Sequence, residues 1–170
     1  MRGYFAIGAE RISKPMNFGA ILRTGHAFGA SFAFTVNAHP DAQEMNLADT
    51  AKSAAQLPLY QHDSVEALML PVDCQLVGVE LTDEAIDLPS FRHPAKAAYI
   101  LGPEKGELSP LAIARCVHMV KIPTKFCVNL SVAAAIVMYD RVISIGGHPP
   151  RPIKSGGPPP DENWRPARLR

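Results

Sequence analysis

The chain has 170 residues, 47% of them hydrophobic and 19% charged, and its formal net charge is +1. These values predict one globular domain with a sizeable core and exclude a disordered or fibrous protein. The most apolar segment, from Leu130 to Ile145, is shorter than a membrane span and contains Asp140 and Arg141. The first ten residues lack the apolar segment of a signal peptide. We therefore expect a cytoplasmic protein that does not enter a membrane.

Cysteine and histidine are too scattered to indicate a disulfide framework or a metal site. Cys74, Cys116 and Cys127 are odd in number and form no Cys-x-x-Cys pair, which is typical of reduced thiols. The six histidines form no closely spaced pair with one another or with a cysteine. Metal sites usually contain such pairs, so we predict no bound metal.

Positive charge is concentrated at the carboxyl terminus. Residues 148–170 hold five Lys and Arg against two Asp and Glu, a balance of +3, so residues 1–147 carry −2. The same segment contains seven of the 16 prolines. We predict one domain over 1–147 and a flexible, proline-rich basic tail over 148–170. Such a tail is consistent with nucleic-acid binding and equally with a solubilising terminus.

Strand and helix patterns alternate along the chain. Strands are predicted at 4–9, 32–36, 59–60, 74–80, 97–101 and 118–122. Helices are predicted at 17–29, 46–55, 64–70, 110–115 and 130–145. Each strand is an almost continuous apolar run, which predicts an α/β fold with a mostly parallel sheet and helices on both faces.

Three details of the helices are predicted from single residues. Gly29 is a favourable residue just after a helix, and Ser64 is a suitable cap for the helix at 64–70. Asn129 and Ser131 can satisfy the free N–H groups at the start of the last helix. That helix is apolar almost without interruption, so we expect it to be buried on most faces.

The loops after the strands are the places to search for a site, because ligands of parallel sheets bind beyond the carboxyl ends of the strands. No GxGxxG follows the first strand and no GxxxxGK[ST] occurs, so the usual nucleotide-binding fingerprints are missing. The loop from Gly102 to Ser109 has two glycines and a proline, which favour a tight turn beside a ligand. Glu104 is either part of that site or a solvated side chain.

The helix at 17–29 begins with a second group of candidates. Arg23 has apolar neighbours, so it must reach water, pair with a carboxylate such as Glu104, or face an anionic ligand. Asn17 is either a functional side chain or only the N-cap of this helix. On these residues alone the alternatives stay open.

Three segments, in this order, carry a more specific signal. They are Asn17-Phe-Gly-Ala-Ile-Leu-Arg23-Thr, then Leu101-Gly-Pro-Glu104 through Leu108-Ser109, then Ile122-Pro123 through Asn129-Leu-Ser-Val-Ala. Together they resemble the three signature motifs of the SpoU/TrmH branch of the SPOUT RNA methyltransferases. The resemblance covers residues 4 to about 145. It implies an α/β fold with a trefoil knot near the carboxyl terminus, a homodimer, and methyl transfer from S-adenosylmethionine to a ribose 2′-hydroxyl of tRNA or rRNA.

The resemblance also implies roles for individual residues. Arg23 matches the arginine proposed to orient or deprotonate the 2′-hydroxyl, and Asn17 matches the asparagine that supports it. Glu104 and Asn129 match residues that shape the catalytic face. An ordinary arginine stays protonated, so stabilisation of the forming alkoxide by Arg23 is easier to defend than proton abstraction.

A further set of residues is expected to hold the cofactor. Three match positions whose main chain holds the adenosine part in the family: Gly102, Ile122 and Leu130. We add Val79, which ends another strand, as a further wall of the pocket. Cys127 replaces a serine of the family near the cofactor and RNA.

The sequence departs from the family pattern at Cys127, at Glu107 and in the loop after Pro123, which is shorter than usual. These departures imply altered substrate choice or lost activity. The alternative function is a non-catalytic homodimer that binds or assembles RNA. The negative balance of residues 1–147 favours this alternative, because phosphate binding generally needs basic residues.

Overall fold

The computed structural model describes residues 3–44, 57–146, 148 and 155. Its strands are β1 (Tyr4–Glu10), β2 (Phe32–Val36), β3 (Leu59–His62), β4 (Gln75–Val79), β5 (Ile86–Asp87), β6 (Lys96–Leu101) and β7 (His118–Lys121). Within the described residues they form one seven-stranded sheet in the order β3-β2-β1-β6-β4-β7-β5. Every pair of neighbouring strands is parallel. The predicted parallel sheet is confirmed.

The helices are α1 (Pro15–Ala27), α2 (Pro40–Glu44), α3 (Pro110–Arg115) and α4 (Leu130–Ile145), and a 3₁₀ turn covers Leu88–Ser90. Helices α1 and α4 cover one face of the sheet, and α3 covers the other. Side chains of β6 alternate between the two cores from Ala97 to Leu101. A strand that is buried on both faces needs apolar residues at every position, which explains its continuous apolar run.

The predicted helix at 64–70 is wrong, because only one turn forms there. Ser64 Oγ accepts a hydrogen bond from Ala67 N–H at 3.2 Å, as a cap would. The Arg115 guanidinium then donates to the carbonyls of Val65 and Leu68. A continuing helix would use those carbonyls for its own N–H groups, so Arg115 stabilises the turn instead. The predicted helix at 46–55 lies outside the described residues, and β5 was not predicted.

Helix α4 is buried on one face only, so the expectation of burial on most faces is wrong for the single chain. Its buried residues, Ala134, Val137, Met138 and Arg141, follow helical spacing. On another side Val132 is 47% exposed and Tyr139 is 51% exposed. This second apolar surface explains why the sequence pattern indicated full burial.

Buried polar contacts fix the carboxyl-terminal half of α4. Arg141 donates to the carbonyls of Pro94, Ala95 and Tyr4 and to the Tyr99 hydroxyl. These acceptors compensate a buried charge that would otherwise be costly. They hold α4 on the sheet, with its first turn beside the carboxyl ends of the strands. The trefoil knot stays a prediction, because strand order alone does not define how the chain passes through its own loops.

Candidate active site

A central pocket of about 290 Å³ lies beyond the carboxyl ends of β4, β6 and β7. Its volume is close to the lower end of small-molecule sites, about 300 Å³. The lining comes from residues 79–81 at the end of β4, 101–104 and 106 at the end of β6, and 122, 124 and 127–130 after β7, with Lys14 just before α1, Asn17 in α1 and Ala133 in α4. The parallel sheet therefore brings together three loops and the first turns of two helices, as expected for this fold class.

Asn17, Glu104 and Asn129 form one hydrogen-bonded chain at this pocket. Asn129 Nδ2 donates to Asn17 Oδ1 at 3.1 Å, and Asn17 Nδ2 donates to Glu104 Oε1 at 3.1 Å. Asn129 Oδ1 also accepts from Ser131 N–H at 2.9 Å and thereby caps α4. A backbone N–H can only donate and an ionised carboxylate can only accept. The two ends therefore fix the orientation of both amide groups.

Glu104 uses both carboxylate oxygens to fasten its loop to the start of α1. It accepts from Ser13 N–H and Oγ, both at 3.0 Å, from Lys14 N–H at 2.9 Å, and from Asn17. Burial acts to raise the pKa of Glu104, but the hydrogen bonds from Ser13, Asn17 and Lys14 outweigh it and hold the pKa below its ordinary value. Glu104 therefore stays ionised at neutral pH, and the hydrogen bonds that it accepts fix the start of α1 and the Asn17 amide relative to the loop after β6.

The capping role considered for Asn17 is not observed. Helix α1 begins at Pro15, and its N-cap residue Lys14 makes no side-chain capping bond. The Glu104 carboxylate instead accepts from Ser13 and Lys14, where a negative charge favours a helix start. Ser109, by contrast, caps α3 and accepts from Ala112 N–H at 3.1 Å.

Two further carboxylates hold the loop after β6, and sequence reasoning missed both. Glu10 Oε2 accepts from Ser109 N–H at 2.7 Å, and Glu80 Oε2 accepts from Leu108 N–H at 3.0 Å. Each lies at or next to the carboxyl end of a strand, which was the available signal. The close fit leaves no room at Gly102, where an added Cβ would lie 2.9 Å from Glu80 Oε2.

All five residues expected to hold the cofactor line the central pocket: Val79, Gly102, Ile122, Cys127 and Leu130. Val79, Ile122 and Leu130 supply apolar walls, and Gly102 lets main chain come close to a ligand. Glu80 and Asn129 add polar groups to the lining. This mixture fits a ligand with a flat apolar part and several polar groups, as S-adenosylmethionine has.

Arg23 is the one predicted catalytic residue that does not line the pocket. It is exposed, and among the described residues it makes no hydrogen bond or ion pair. Arg23 follows Asn17 by six positions, and a helix turns by 100° per residue. The two side chains therefore leave α1 in different directions, and of the alternatives considered Arg23 takes the one that reaches water.

The model of the SpoU rRNA Methylase family matches residues 4–139. The chain belongs to the SpoU rRNA Methylase family. It is 26% identical over 138 residues to the tRNA (guanosine(18)-2'-O)-methyltransferase of Escherichia coli (strain K12). This match covers 77% of this chain and 59% of that protein. The chain thus spans about three fifths of the length of this relative.

Solved structures share the fold of this family member. The SpoU methyltransferase AviRb from Streptomyces viridochromogenes, in complex with AdoMet, has a TM-score of 0.74 at 21% identity, over 84% of this chain and 58% of that one. A structure described as giving insights into the 2-OH methylation of C/U34 on tRNA has a TM-score of 0.67 at 24% identity. That match covers 85% of this chain and 92% of the other.

In the part of the chain that the structure describes, no helix is long and apolar enough to cross a membrane. In the same residues, no group of three or more His, Cys, Asp and Glu side chains could hold a metal ion.

Proposed function

We propose that this protein is an S-adenosylmethionine-dependent methyltransferase that methylates a ribose 2′-hydroxyl of RNA. The observation that carries the proposal is the chain of hydrogen bonds from Asn129 through Asn17 to Glu104 at the mouth of the central pocket. These three residues are three of the four catalytic candidates that the family motifs select, and they come from three distant parts of the sequence. Membership of the SpoU rRNA Methylase family supports the same reaction.

When bound, S-adenosylmethionine supplies an electrophilic methyl group for an in-line displacement. Gly102 and the apolar side chains of Val79, Ile122 and Leu130 would hold its adenosine part. Glu80, which lines the same pocket, offers a negative charge to a cofactor with a positive sulfonium. The proposed reaction depends largely on positioning, which is what a rigid pocket at strand ends provides.

The proposed task of Asn17 and Asn129 is to orient the accepting ribose. Each side-chain amide carries two N–H donors, and one donor of each is used within the chain of hydrogen bonds. The second donors are available to a substrate oxygen. Donors at a developing alkoxide favour its formation. Glu104 contributes indirectly, because it fixes the direction in which the Asn17 amide points.

We also propose a homodimer that uses the apolar groove between α1 and α4. Ala20 and Thr24 of α1 and Phe28, which follows that helix, form one wall, and Val132 and Tyr139 of α4 lie in the other. The half-exposed Val132 and Tyr139 would be covered by a second copy of the same surface. Arg23 directly precedes Thr24 of this groove in α1. In the proposed dimer it would therefore lie near the partner subunit. There it would stabilise negative charge on RNA.

The proposed substrate is tRNA or rRNA, and the proposed location is the cytoplasm. The E. coli relative is named as a tRNA methyltransferase, and the structure concerned with C/U34 has a chain of similar extent. Both favour tRNA as the first RNA to test. Cys74, Cys116 and Cys127 are all free thiols, which is consistent with a reducing compartment.

The deciding experiment is methyl transfer from radiolabelled S-adenosylmethionine to two RNA pools from a strain that lacks this protein. One pool is unfractionated tRNA and the other is rRNA. Label in one pool, resistant to alkali as a 2′-O-methyl dinucleotide, would establish the reaction and its substrate class. If neither pool is labelled although the protein binds S-adenosylmethionine in calorimetry, the non-catalytic RNA-binding homodimer replaces the enzyme.

A further inference from the structure

A second cavity adjoins the central pocket and has a different character. This basic groove, an open cavity of about 410 Å³, is lined by Arg11, Ser13, Lys14, Pro103, Glu104 and Lys105. Lys14, Pro103 and Glu104 also line the central pocket, so the two cavities share a wall. Three of the six lining residues are cationic, although residues 1–147 as a whole carry a balance of −2. Positive charge is therefore concentrated beside the proposed methyl-transfer site.

The only carboxylate among the groove's lining residues does not compete with an anionic ligand for the cationic side chains. Glu104 already accepts hydrogen bonds from Ser13, Lys14 and Asn17. Lys14 and Lys105 are exposed, and their ammonium groups bond to no described residue. An anion entering the groove would meet free cations and a carboxylate whose oxygens are occupied.

Arg11 is held in place before any ligand arrives. Its backbone N–H donates to Val36 O at 2.8 Å, and its guanidinium donates to Glu107 O at 2.5 Å. Its φ is 53°, an uncommon conformation for an arginine. Such conformations are often retained where the position of a side chain matters to function. A guanidinium has five N–H donors, so donors are left for a phosphate.

The geometry points to a phosphate site for the RNA backbone. We propose that the basic groove binds the phosphodiester on the 3′ side of the nucleotide to be methylated. The 2′-hydroxyl and the 3′-phosphate leave adjacent carbons of one ribose. A ribose that presents its 2′-oxygen at Asn17 must therefore carry a phosphate close to the wall shared by the two cavities. Arg11 and Lys105 then fix the register of the RNA.

This inference rests on the proposed function, since it takes the central pocket as the place of methyl transfer. It adds a subsite that is sequence-independent, because phosphate contacts position a nucleic acid without reading its bases. Recognition of the nucleotide itself is left to other contacts. The basic groove is thus expected to set affinity and salt dependence.

The test compares two double variants of the full chain with equal loss of charge. Arg11→Gln/Lys105→Gln removes cations from the groove, and Arg92→Gln/Lys96→Gln removes them at the amino end of the central strand β6, at the other end of the strands from the groove. Binding of unfractionated tRNA is measured between 50 and 300 mM salt, a range of the usual order for such titrations. For the groove variant we expect the salt slope to fall by about two and the KM for tRNA to rise by about tenfold. S-adenosylmethionine affinity should be unchanged.

Two further measurements separate a phosphate contact from a structural effect. Lys105→Gln alone breaks no contact among the described residues, so its share of the slope change, about one, cannot come from misfolding. Lys105→Arg should restore the wild-type slope because it keeps the charge. A slope that Lys105→Gln leaves unchanged, or that the control double variant lowers equally, would overturn the assignment.

The outcomes also distinguish this inference from the proposed reaction. Methyl transfer by the wild type, with the same KM in both double variants, would keep the reaction and reject the phosphate site. An inactive wild type whose tRNA binding nevertheless depends on Arg11 and Lys105 would reject the reaction and the assignment to a methylated nucleotide, and would keep only an RNA phosphate site in the groove.

Discussion

Asn17 Nδ2 donates to Glu104 Oε1 at 3.1 Å and joins the first turn of α1 to the loop after β6 across 87 residues of sequence. The bond has a fixed direction, because an ionised carboxylate cannot donate. Asn17 is buried, so neither partner can be replaced by water at no cost. The stability of the site and its proposed activity therefore depend on the same contact.

Asn17→Asp keeps the shape of the side chain and replaces its N–H donor with a second oxygen acceptor. The new carboxylate cannot donate to Glu104 and lies against a like charge, so we expect its pKa to rise above the unfolded value of about 3.9. As pH rises from the unfolded pKa of the new carboxyl group to its raised folded pKa, the unfolded state loses its proton first. The variant therefore loses stability relative to the wild type. At pH 7 we expect a loss of about 1–3 kcal/mol and no methyl transfer.

Urea titrations of both proteins between pH 4 and 8 measure this difference. Asn37→Asp is the matched control, because Asn37 is exposed and its φ of 50° is tolerated by aspartate. The control should change the free energy of unfolding by no more than about 0.5 kcal/mol. A loss in Asn17→Asp that does not vary with pH would contradict the like-charge explanation.

Glu104→Gln tests the contribution of the ionised carboxylate. Hydrogen bonds hold its pKa below the ordinary value of 4.5 in the folded state. A depressed pKa stabilises the fold above the unfolded value, and this contribution is lost as pH falls through the folded value. The wild type should therefore exceed the variant in stability by about 1–3 kcal/mol at pH 7, and the difference should shrink below pH 4.5.

The control for this change is Glu107→Gln in the same loop. Glu107 is exposed, and only its main-chain carbonyl takes part in a described contact. Its stability profile should follow that of the wild type from pH 3 to 8, a range chosen around ordinary carboxyl pKa values of about 4. Parallel profiles for Glu104→Gln and the wild type would show that the carboxylate has no special role.

The sequence predicts most of the fold because burial on both faces of a sheet leaves a local signature. The strand at 32–36 and the helices at 110–115 and 130–145 match their predicted bounds. The helix at 64–70 was predicted wrongly because its carbonyls are taken by Arg115, a residue about 50 positions later. No local pattern contains that contact.

Only part of the candidate site could likewise be predicted from local sequence patterns. Strand-end loops were found because the parallel sheet brings their ends together, and the motifs selected Asn17, Glu104 and Asn129. The contacts of Glu10 and Glu80 with the loop depend on tertiary packing and were missed. The outward direction of Arg23, in contrast, follows from helical periodicity and was open to prediction.

Gly102→Ala should weaken cofactor binding. An added Cβ would lie 2.9 Å from Glu80 Oε2 and 3.1 Å from Leu108 N, so the hydrogen bond between those atoms must shift. Because this loop lines the central pocket, we expect at least about a tenfold loss of S-adenosylmethionine affinity, or about 1.4 kcal/mol, in calorimetry.

Gly19→Ala is the matched control for the same chemical change. Its added Cβ would meet nothing within 4 Å, and alanine favours the interior of α1 by up to about 1 kcal/mol. The control should therefore be at least as stable as the wild type and bind the cofactor equally. Equal cofactor affinity in both variants would show that the loop adapts without consequence.

Deletion of residues 151–170 tests the basic tail, most of which lies outside the described residues. The deletion removes five Lys and Arg and two Asp and Glu. If the tail contacts phosphates, RNA binding should weaken and its salt slope should decrease. A full-length variant with those five cations changed to Gln separates charge from chain length. An unchanged salt slope in both proteins would show that the tail does not contact RNA phosphates.

Arg23→Ala should abolish methyl transfer and leave S-adenosylmethionine affinity unchanged, because Arg23 does not line the central pocket. The fold should also be unaffected, since Arg23 is exposed and bonds to no described residue. Arg92→Ala, another exposed arginine, is the control and should stay active. An equal loss of turnover and cofactor affinity in Arg23→Ala would contradict the proposed role.

Mixed dimers can show which subunit's pocket Arg23 serves. If it acts on the partner's pocket, an Asn17→Ala chain paired with an Arg23→Ala chain contains one intact site, formed by Asn17 of one chain and Arg23 of the other. Refolding the two inactive variants together should then restore activity, whereas each alone stays inactive. If Arg23 serves its own pocket, neither site in the mixed dimer is intact, and the mixture stays inactive. Recovery of activity would therefore also establish the dimer.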